Sequence, residues 1–429
     1  MNRRDFLTLA LATPLIPAMQ RPATPAKVAA PAKAAALAGV PWTQWGGPHR
    51  NFTTEATGLK DSWPASGPPV VWKRALGEGY SSPTVENGIL YTMYGKRGQE
   101  VVIAANAETG QTLWERYNAM TFVSDAAREQ GNGPYSTPLI VADRIFTTGV
   151  AGLLQCLDKK TGKVLWAQEL WAEHRGSRLM YGYACSPIAF RNTVIVPVGG
   201  RGKGVMAFNQ ADGRVAWSAN DYHNVYSSPV LTDVSGLEQM AVLLDGVLIG
   251  INPLNGDLQW VVPFKADYSI AVTTPLFGAG NLLFVSSEYG GGAKMIELKR
   301  NGLRTTATEL WATPRLRLHH GNAMRIGDTI YFSSGGKGSQ AILSAVDART
   351  GTVRWQQRSI EKATFVWADN KLITLDQDGN LMIAHPSPEG FKISAKASLL
   401  SRLSWTPPAL VGTRLYIRDR GEMMAVELG

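Results

Sequence analysis

One eleven-residue pattern recurs along most of this chain and leaves few folds open to it. Its fullest copy is AVDARTGTVRW, residues 345–355. Degraded copies end at Trp114 (AANAETGQTLW), Trp166 (CLDKKTGKVLW), Trp217 (AFNQADGRVAW) and Trp260 (GINPLNGDLQW). Successive tryptophans are 52, 51 and 43 residues apart, then 51 to Trp311 and 44 to Trp355. Self-similarity at this period marks a repeat architecture, so 429 residues form one ring rather than the two or three domains that length alone implies.

The pattern also says what the repeat is made of. The residues before the turn are apolar or alternating, as in a half-buried strand. Asp158, Asp347, or the asparagines at 106, 209 and 252, can hydrogen-bond the turn backbone, and Gly110, Gly162, Gly213, Gly256 and Gly351 supply a position with positive φ. The chain then reverses into a strand that carries the tryptophan. A tryptophan buries on the order of 200 Å², so one at the same place in each unit acts as a wedge between neighbours.

A second landmark completes the unit. Ser81-Ser82-Pro83, Ser136-Thr137-Pro138, Cys185-Ser186-Pro187, Ser227-Ser228-Pro229 and Thr273-Thr274-Pro275 each open an apolar run, and a partner strand follows. Each repeat thus holds four strands, the blade of a β-propeller. Weaker openings at Gly321–Ile326, Ala363–Ala368 and Trp405–Val411 bring the count to eight. Seven stays open, because blades six and seven rest on degraded motifs. The eighth blade has three strands before Gly429; its fourth is expected from the N-terminal strand around Trp72, which would remove the open edge. The expected fold is all-β, an eight-bladed propeller of four-stranded antiparallel blades, spanning residues 42–429.

The motif resembles the tryptophan-docking motif of the quinoprotein-type, PQQ-like eight-bladed propellers. The leader WTQWGGPHRN (42–51) and the stretch VWKRALGEGYSSPTV (71–85) resemble exported bacterial members of that superfamily. Two functions follow from the resemblance. One is a non-catalytic binding or scaffold module, similar to the propeller lipoprotein of the outer-membrane β-barrel assembly machinery, with no cofactor and with its loop face turned to a protein, peptide or polymer. The alternative is a dehydrogenase oxidising an alcohol or sugar with PQQ and Ca²⁺. In many such alcohol dehydrogenases adjacent cysteines form a disulfide that stacks on the quinone, and some carry a haem. Here Cys156 and Cys185 are far apart, C-x-x-C-H is absent, and Glu78, Asp221, Asp267 and Glu288 form no recognisable calcium cluster. No catalytic residue and no metal ligand is assigned; the binding reading is preferred.

Residues 1–41 read as a twin-arginine-like signal, Arg3-Arg4-Asp5-Phe6-Leu7 with a short apolar run, followed by an Ala/Pro/Lys-rich tether. The run is too short and too Pro-broken to span a membrane. No cysteine precedes Cys156, so a lipoprotein anchor is not expected. The expected location is periplasmic or otherwise extracytoplasmic, and the expected state a monomer. The formal charge of +9 includes +4 from these residues; the rest is spread, which is no nucleic-acid footprint. Two separate buried thiols are expected of Cys156 and Cys185. The Gly-rich run 199–204 lies between strands and lacks the helix of an anion site, so it reads as a hairpin loop.

Candidate binding residues come from the loops that precede the blade-opening motifs, because these emerge where the channel opens. They are Tyr80, Tyr135, His174, Arg178, Tyr183, His223, Tyr226, His320 and Asn322. Trp72, Trp114, Trp166, Trp217, Trp260, Trp311 and Trp355 are assigned to docking between blades.

Overall fold

The computed structural model describes residues 39–127, 129, 131–335, 341–358 and 360–429. The export-signal and tether reading therefore lies outside the described residues, apart from its last three positions. So does most of the glycine-rich loop that begins at Gly335.

The structure is an eight-bladed β-propeller, with eight separate four-stranded antiparallel sheets. Blade 1 holds strands Thr84–Glu86, Ile89–Lys96, Gln99–Asn106 and Thr112–Ala119, from the channel outwards. The pattern repeats to blade 7, which runs from Ala363–Ala368 to Gly390–Ser398. Blades six and seven are thus both present as full sheets. In the eighth sheet Ala409–Val411, Arg414–Arg418 and Glu422–Glu427 are followed outwards by Val70–Ala75, with Lys73 opposite Met424.

The tight turn behaves as its residues dictate. Asn106 Oδ1 accepts from the Glu108 and Thr109 amides, and Asp347 Oδ1 from those of Arg349 and Thr350. The five turn glycines have φ between 69° and 78°, a left-handed value that suits a residue without Cβ. A bulge follows in each outer strand; in blade 1 the register shifts between Ala104 and Ala105. The tryptophan beyond it then reaches the next blade's turn. Trp114 Nε1 donates to Lys159 O, Trp166 to Gln210 O, Trp217 to Pro253 O, Trp311 to Ala348 O and Trp355 to Ser387 O. Trp260 is the exception. Blade 5 ends in the extended hairpin of Gly292–Asn301 and Arg304–Thr313. Trp260 instead donates to Gln239 Oε1 in its own blade, at 2.8 Å, and Gln239 Nε2 reaches Thr305 of blade 5.

The hydroxyls of the blade-opening motif stitch the ring from inside. Thr137 Oγ1 accepts from the Ser82 amide, Ser186 Oγ from Thr137, and Ser228 Oγ from Ser186. Ser82 Oγ in turn donates to Pro407 O of blade 8. Inner-strand polar groups, cut off from water, are thereby satisfied across these four seams. Both cysteines are buried free thiols, with Cys185 Sγ on Val225 O at 3.1 Å.

The leader does more than precede the ring. Trp42 pairs with Val85 of blade 1, and Thr43 O accepts from Ile140 of blade 2. Trp45 Nε1 donates to Thr274 Oγ1 of blade 5 at 2.9 Å. Phe52 O accepts from Trp367 of blade 7. The segment crosses the channel at the end where the inner strands finish, and closes it there.

One buried carboxyl gives a pH-dependent expectation. Glu100 is 2% exposed, and its Oε1 accepts from the Val150 amide of blade 2 at 2.8 Å. Burial raises its pKa from the ordinary 4.5 to about 7, against the lowering effect of that hydrogen bond. A carboxyl whose folded pKa is raised binds its proton more tightly folded than unfolded. The fold therefore loses stability as pH rises above 4.5, with the full cost present above 7. Glu100→Gln is expected to gain about 3 kcal/mol at pH 8, and almost nothing at pH 4.5. Urea denaturation of both proteins at the two pH values checks this; an equal difference at both would mean the carboxyl is not the cause.

Candidate functional site at the channel mouth

With one end of the channel closed, the other is a blind pocket of about 630 Å³. Its floor is the Trp45 indole with the motif hydroxyls of Ser186, Ser228 and Thr274. Its walls come from the loops that enter the blades, and they are aromatic. Tyr135 stacks on Tyr80 (centroids 6.1 Å apart, planes 7°), and Tyr80 on Trp405 (5.6 Å, 24°). Trp405 lies face to face with His320 at 4.0 Å and 6°. From there His319 and Tyr289 continue the arc, and Tyr181 packs on Tyr226 across the mouth. Gln377 Oε1 accepts from Trp405 Nε1 at 3.2 Å and fixes that ring.

Two rim residues and one just beyond the rim sit in the left-handed region without being glycine: Tyr289 (φ 53°), His320 (φ 52°) and Tyr268 (φ 60°). Such backbone persists where surrounding structure over-determines it, and it gathers at binding sites. Beyond the rim, Val123 (65% exposed), Met180 (52%) and Tyr268 (76%) stand in the loops that enter blades 2, 3 and 5. These loops share the face of the mouth, so the pocket has an apolar collar.

The charges are few. Burial and the neighbouring Lys362 bring His319 down to about 3, and burial with His319 puts His320 well below its ordinary value. Both rings are neutral at pH 7. Among the described lining residues Lys362 is the one lysine or arginine, and its ammonium lies 5.5 Å from the Trp405 centroid. Burial lowers its pKa while Glu288 and Glu361 hold it up. The floor hydroxyls are engaged by backbone amides and by Trp45 rather than by a base, so no activated nucleophile is built there.

The four acids considered for calcium do not converge on one site. Glu78 pairs with Arg420 (3.2 Å) and Glu288 with Arg317 (3.7 Å), Asp221 caps the Gly202 amide, and Asp267 is exposed. Among the described residues no three His, Cys, Asp or Glu side chains converge as a metal site, and no helix is long and apolar enough to cross a membrane.

Of the residues expected at the mouth, Tyr80, Tyr135, Tyr226 and His320 line the pocket. The other five do not. Tyr183 is fully buried, its hydroxyl donating to Pro197 O. His174 packs edge-on against Phe208 and bonds Gln168. Arg178 is exposed outside the pocket. His223 is exposed and bonds Ser177 Oγ at 2.6 Å. Asn322 bridges blades 6 and 7 through both the carbonyl and the amide of Phe365. Lining residues outside the expected set include Trp45, Glu129, Tyr181, Tyr289, His319, Lys362 and Trp405. A positional rule would have found part of the site. The residue immediately before the motif lines the pocket in blades 1 to 5, namely Tyr80, Tyr135, Ala184, Tyr226 and Val272.

Known proteins can now be set beside this geometry. The chain is 23% identical to the outer membrane protein assembly factor BamB of Yersinia pestis over 286 residues, 64% of this chain and 69% of the relative. In fold it matches the quinohemoprotein alcohol dehydrogenase of Comamonas testosteroni (TM-score 0.64, 12% identity, 91% of this chain and 81% of the other). It also matches BamB of Moraxella catarrhalis (TM-score 0.58, 15% identity, 84% of this chain and all of the other). A family model described as PQQ_2, outer membrane protein assembly factor BamB, matches residues 98–357, more than half of the chain, and the chain belongs to that family.

Proposed function

We propose that this protein is an exported, non-catalytic binding module that docks a polypeptide on the mouth face of its propeller, in an extracytoplasmic compartment. The observation that carries this reading is the blind aromatic pocket with an exposed apolar collar of Val123, Met180 and Tyr268. Apolar surface gathered round a concavity marks an interaction site, whereas single exposed apolar residues do not. The relatives named as assembly factors of outer membrane proteins agree with a scaffold role, and the twin arginines at positions 3 and 4 agree with export. We also propose that strand Val70–Ala75 closes the ring.

A photo-crosslinking residue at Tyr268 is expected to give one discrete product in cells. Excess wild-type protein should compete it away, and a Met180→Asp variant should not. The same probe at Leu303, which is 82% exposed in the tip of the blade 5 hairpin, is expected to give none. Equal products at both positions would remove the mouth from the reading. In the same preparation PQQ with Ca²⁺ is expected to support no dye-linked alcohol oxidation, because the acids near the channel are paired or dispersed. Turnover would favour the dehydrogenase.

A further inference from the structure

We infer that the mouth pocket recognises a carboxylate: Lys362 takes the carboxylate of a ligand whose apolar body lies against the aromatic walls and the Trp45 floor. The inference rests on the mouth face being the docking surface and names the chemistry it accepts.

The first ground is a buried ammonium that Glu288 and Glu361 act on through space but that no described side chain contacts as an ion pair. Lys362 is 8% exposed and lines the pocket. Its ammonium faces the Trp405 ring and makes no hydrogen bond or ion pair among the described residues. The nearby acids are engaged elsewhere, Glu288 with Arg317 and Glu361 with Gln377 Nε2. A cation–π contact offsets only part of the cost of burying an ammonium; an anion in hydrogen-bond reach offsets more. The second ground is an orphaned donor or acceptor in the same wall. His319 is 3% exposed, and its Nδ1 is buried without a partner among the described residues.

The shape of the site narrows the anion. A phosphate is commonly held by several cations or by a nest of backbone amides. Here the described lining offers one ammonium, two neutral imidazoles and one carboxylate, Glu129, so a single cation is available, which suits a monoanion rather than a phosphate. The walls are aromatic rings held in place against one another, and they suit an apolar body. The volume of about 630 Å³ lies within the range of small-ligand pockets. The carboxylate could arrive on a free aromatic acid or as the end of a polypeptide chain.

Trp45 and Trp405 make the test optical, by tryptophan fluorescence of the full protein. The probes are 3-phenylpropanoate, 3-phenylpropanamide, and the peptide Ala-Ala-Ala-Phe as free acid and as amide. The acids are expected to saturate the signal, and both amides to bind about ten- to a hundredfold more weakly. Lys362→Met should weaken the acids by the same factor, and Lys362→Arg should restore most of their affinity. If the peptide acid binds much more tightly than 3-phenylpropanoate, the source is a chain end, since only the peptide reaches the collar. Equal affinities assign a free acid. No saturation by either acid, or equal binding of acid and amide, overturns the inference. So does unchanged binding in Lys362→Met. Should Lys362→Met fail to fold, the acid–amide contrast on the wild type decides alone. The crosslink at Tyr268 needs none of these probes, so the docking reading and the carboxylate inference fail separately.

Discussion

Arg50→Ala should unfold at markedly lower denaturant than the wild type, with a loss of about 3–5 kcal/mol. Arg50 stands in the leader, held at φ 54°, and is 6% exposed. Its guanidinium is a spoke across the closed end of the channel. Nε donates to Pro229 O of blade 4 at 2.6 Å, Nη1 to Pro187 O and Nη2 to Ser186 O of blade 3. Its hydrogen-bond acceptors are therefore carbonyls, with Gln44 Oε1 the one side chain among them. Burial draws its pKa down to about 9, which still leaves it charged at pH 7. Alanine would orphan three buried carbonyls and leave a hole beside Ser186, whose hydroxyl belongs to the pocket floor with Trp45. Each unsatisfied group costs about 1–3 kcal/mol, and the hole adds to it. Because Trp45 floors the pocket, ligand affinity should fall along with stability. Lysine at 50 keeps the charge but not the three-way fork, and should recover less than half of the loss. Equilibrium unfolding of the three proteins checks this. A loss under about 1 kcal/mol for alanine would mean that water replaces the guanidinium there.

The contrast between ring and plug shows what a sequence of this kind makes legible. The blades could be read because each copy states its own physics locally: an Asx turn, a glycine at positive φ, a tryptophan four residues on. Repetition corrected the weak copies, so Ala363–Ala368 could be placed although its motif is degraded. The pocket was harder because it is made by small offsets. Tyr80, Tyr135 and Tyr226 immediately precede their motifs, while Tyr183 stands one residue further back. In extended backbone one position reverses the side chain, so Ala184 faces the pocket and Tyr183 the core. Trp45 was out of reach for another reason. It meets Thr274 across 229 residues of sequence, and nothing local in the leader says which blade it will touch. Lys362 has no motif at all; it matters because of where the blade 7 strand begins.

Trp72→Ala should cost about 3–5 kcal/mol, as for other buried tryptophans cut to alanine, but the more informative change is where the molecule then opens. Trp72 is 8% exposed and sits on Val70–Ala75, opposite Ala425. Its Nε1 donates to Ala107 O at 2.8 Å, an acceptor it shares with the Tyr416 hydroxyl. Its ring covers Gly110 so closely that a Cβ there would lie 2.7 Å from Cε3. Other blades are continuous from inner to outer strand, so their sheets reform whenever the loops hold them together. In the eighth the outer strand comes from the other end of the sequence, and the ladder between Val70–Ala75 and Glu422–Glu427 is its main tie, with flanking backbone bonds from Lys60 to Leu428 O and from Leu76 to Gly421 O. Arg418, fully buried, reinforces the seam by donating to Ser81 O and Met93 O of blade 1 and to Gly77 O just beyond Val70–Ala75, so the seam keeps one tie when the Trp72 ring is removed. Removing Trp72 should therefore speed amide exchange in Glu422–Glu427 by local opening, ahead of global unfolding. Trp166→Ala, a buried docking tryptophan within the continuous part of the ring, should lower global stability by a similar amount without that local signature. Exchange that rises evenly over all eight blades in both variants would show that the seam is no weaker than its neighbours, and the closing role proposed for Val70–Ala75 would fall with it.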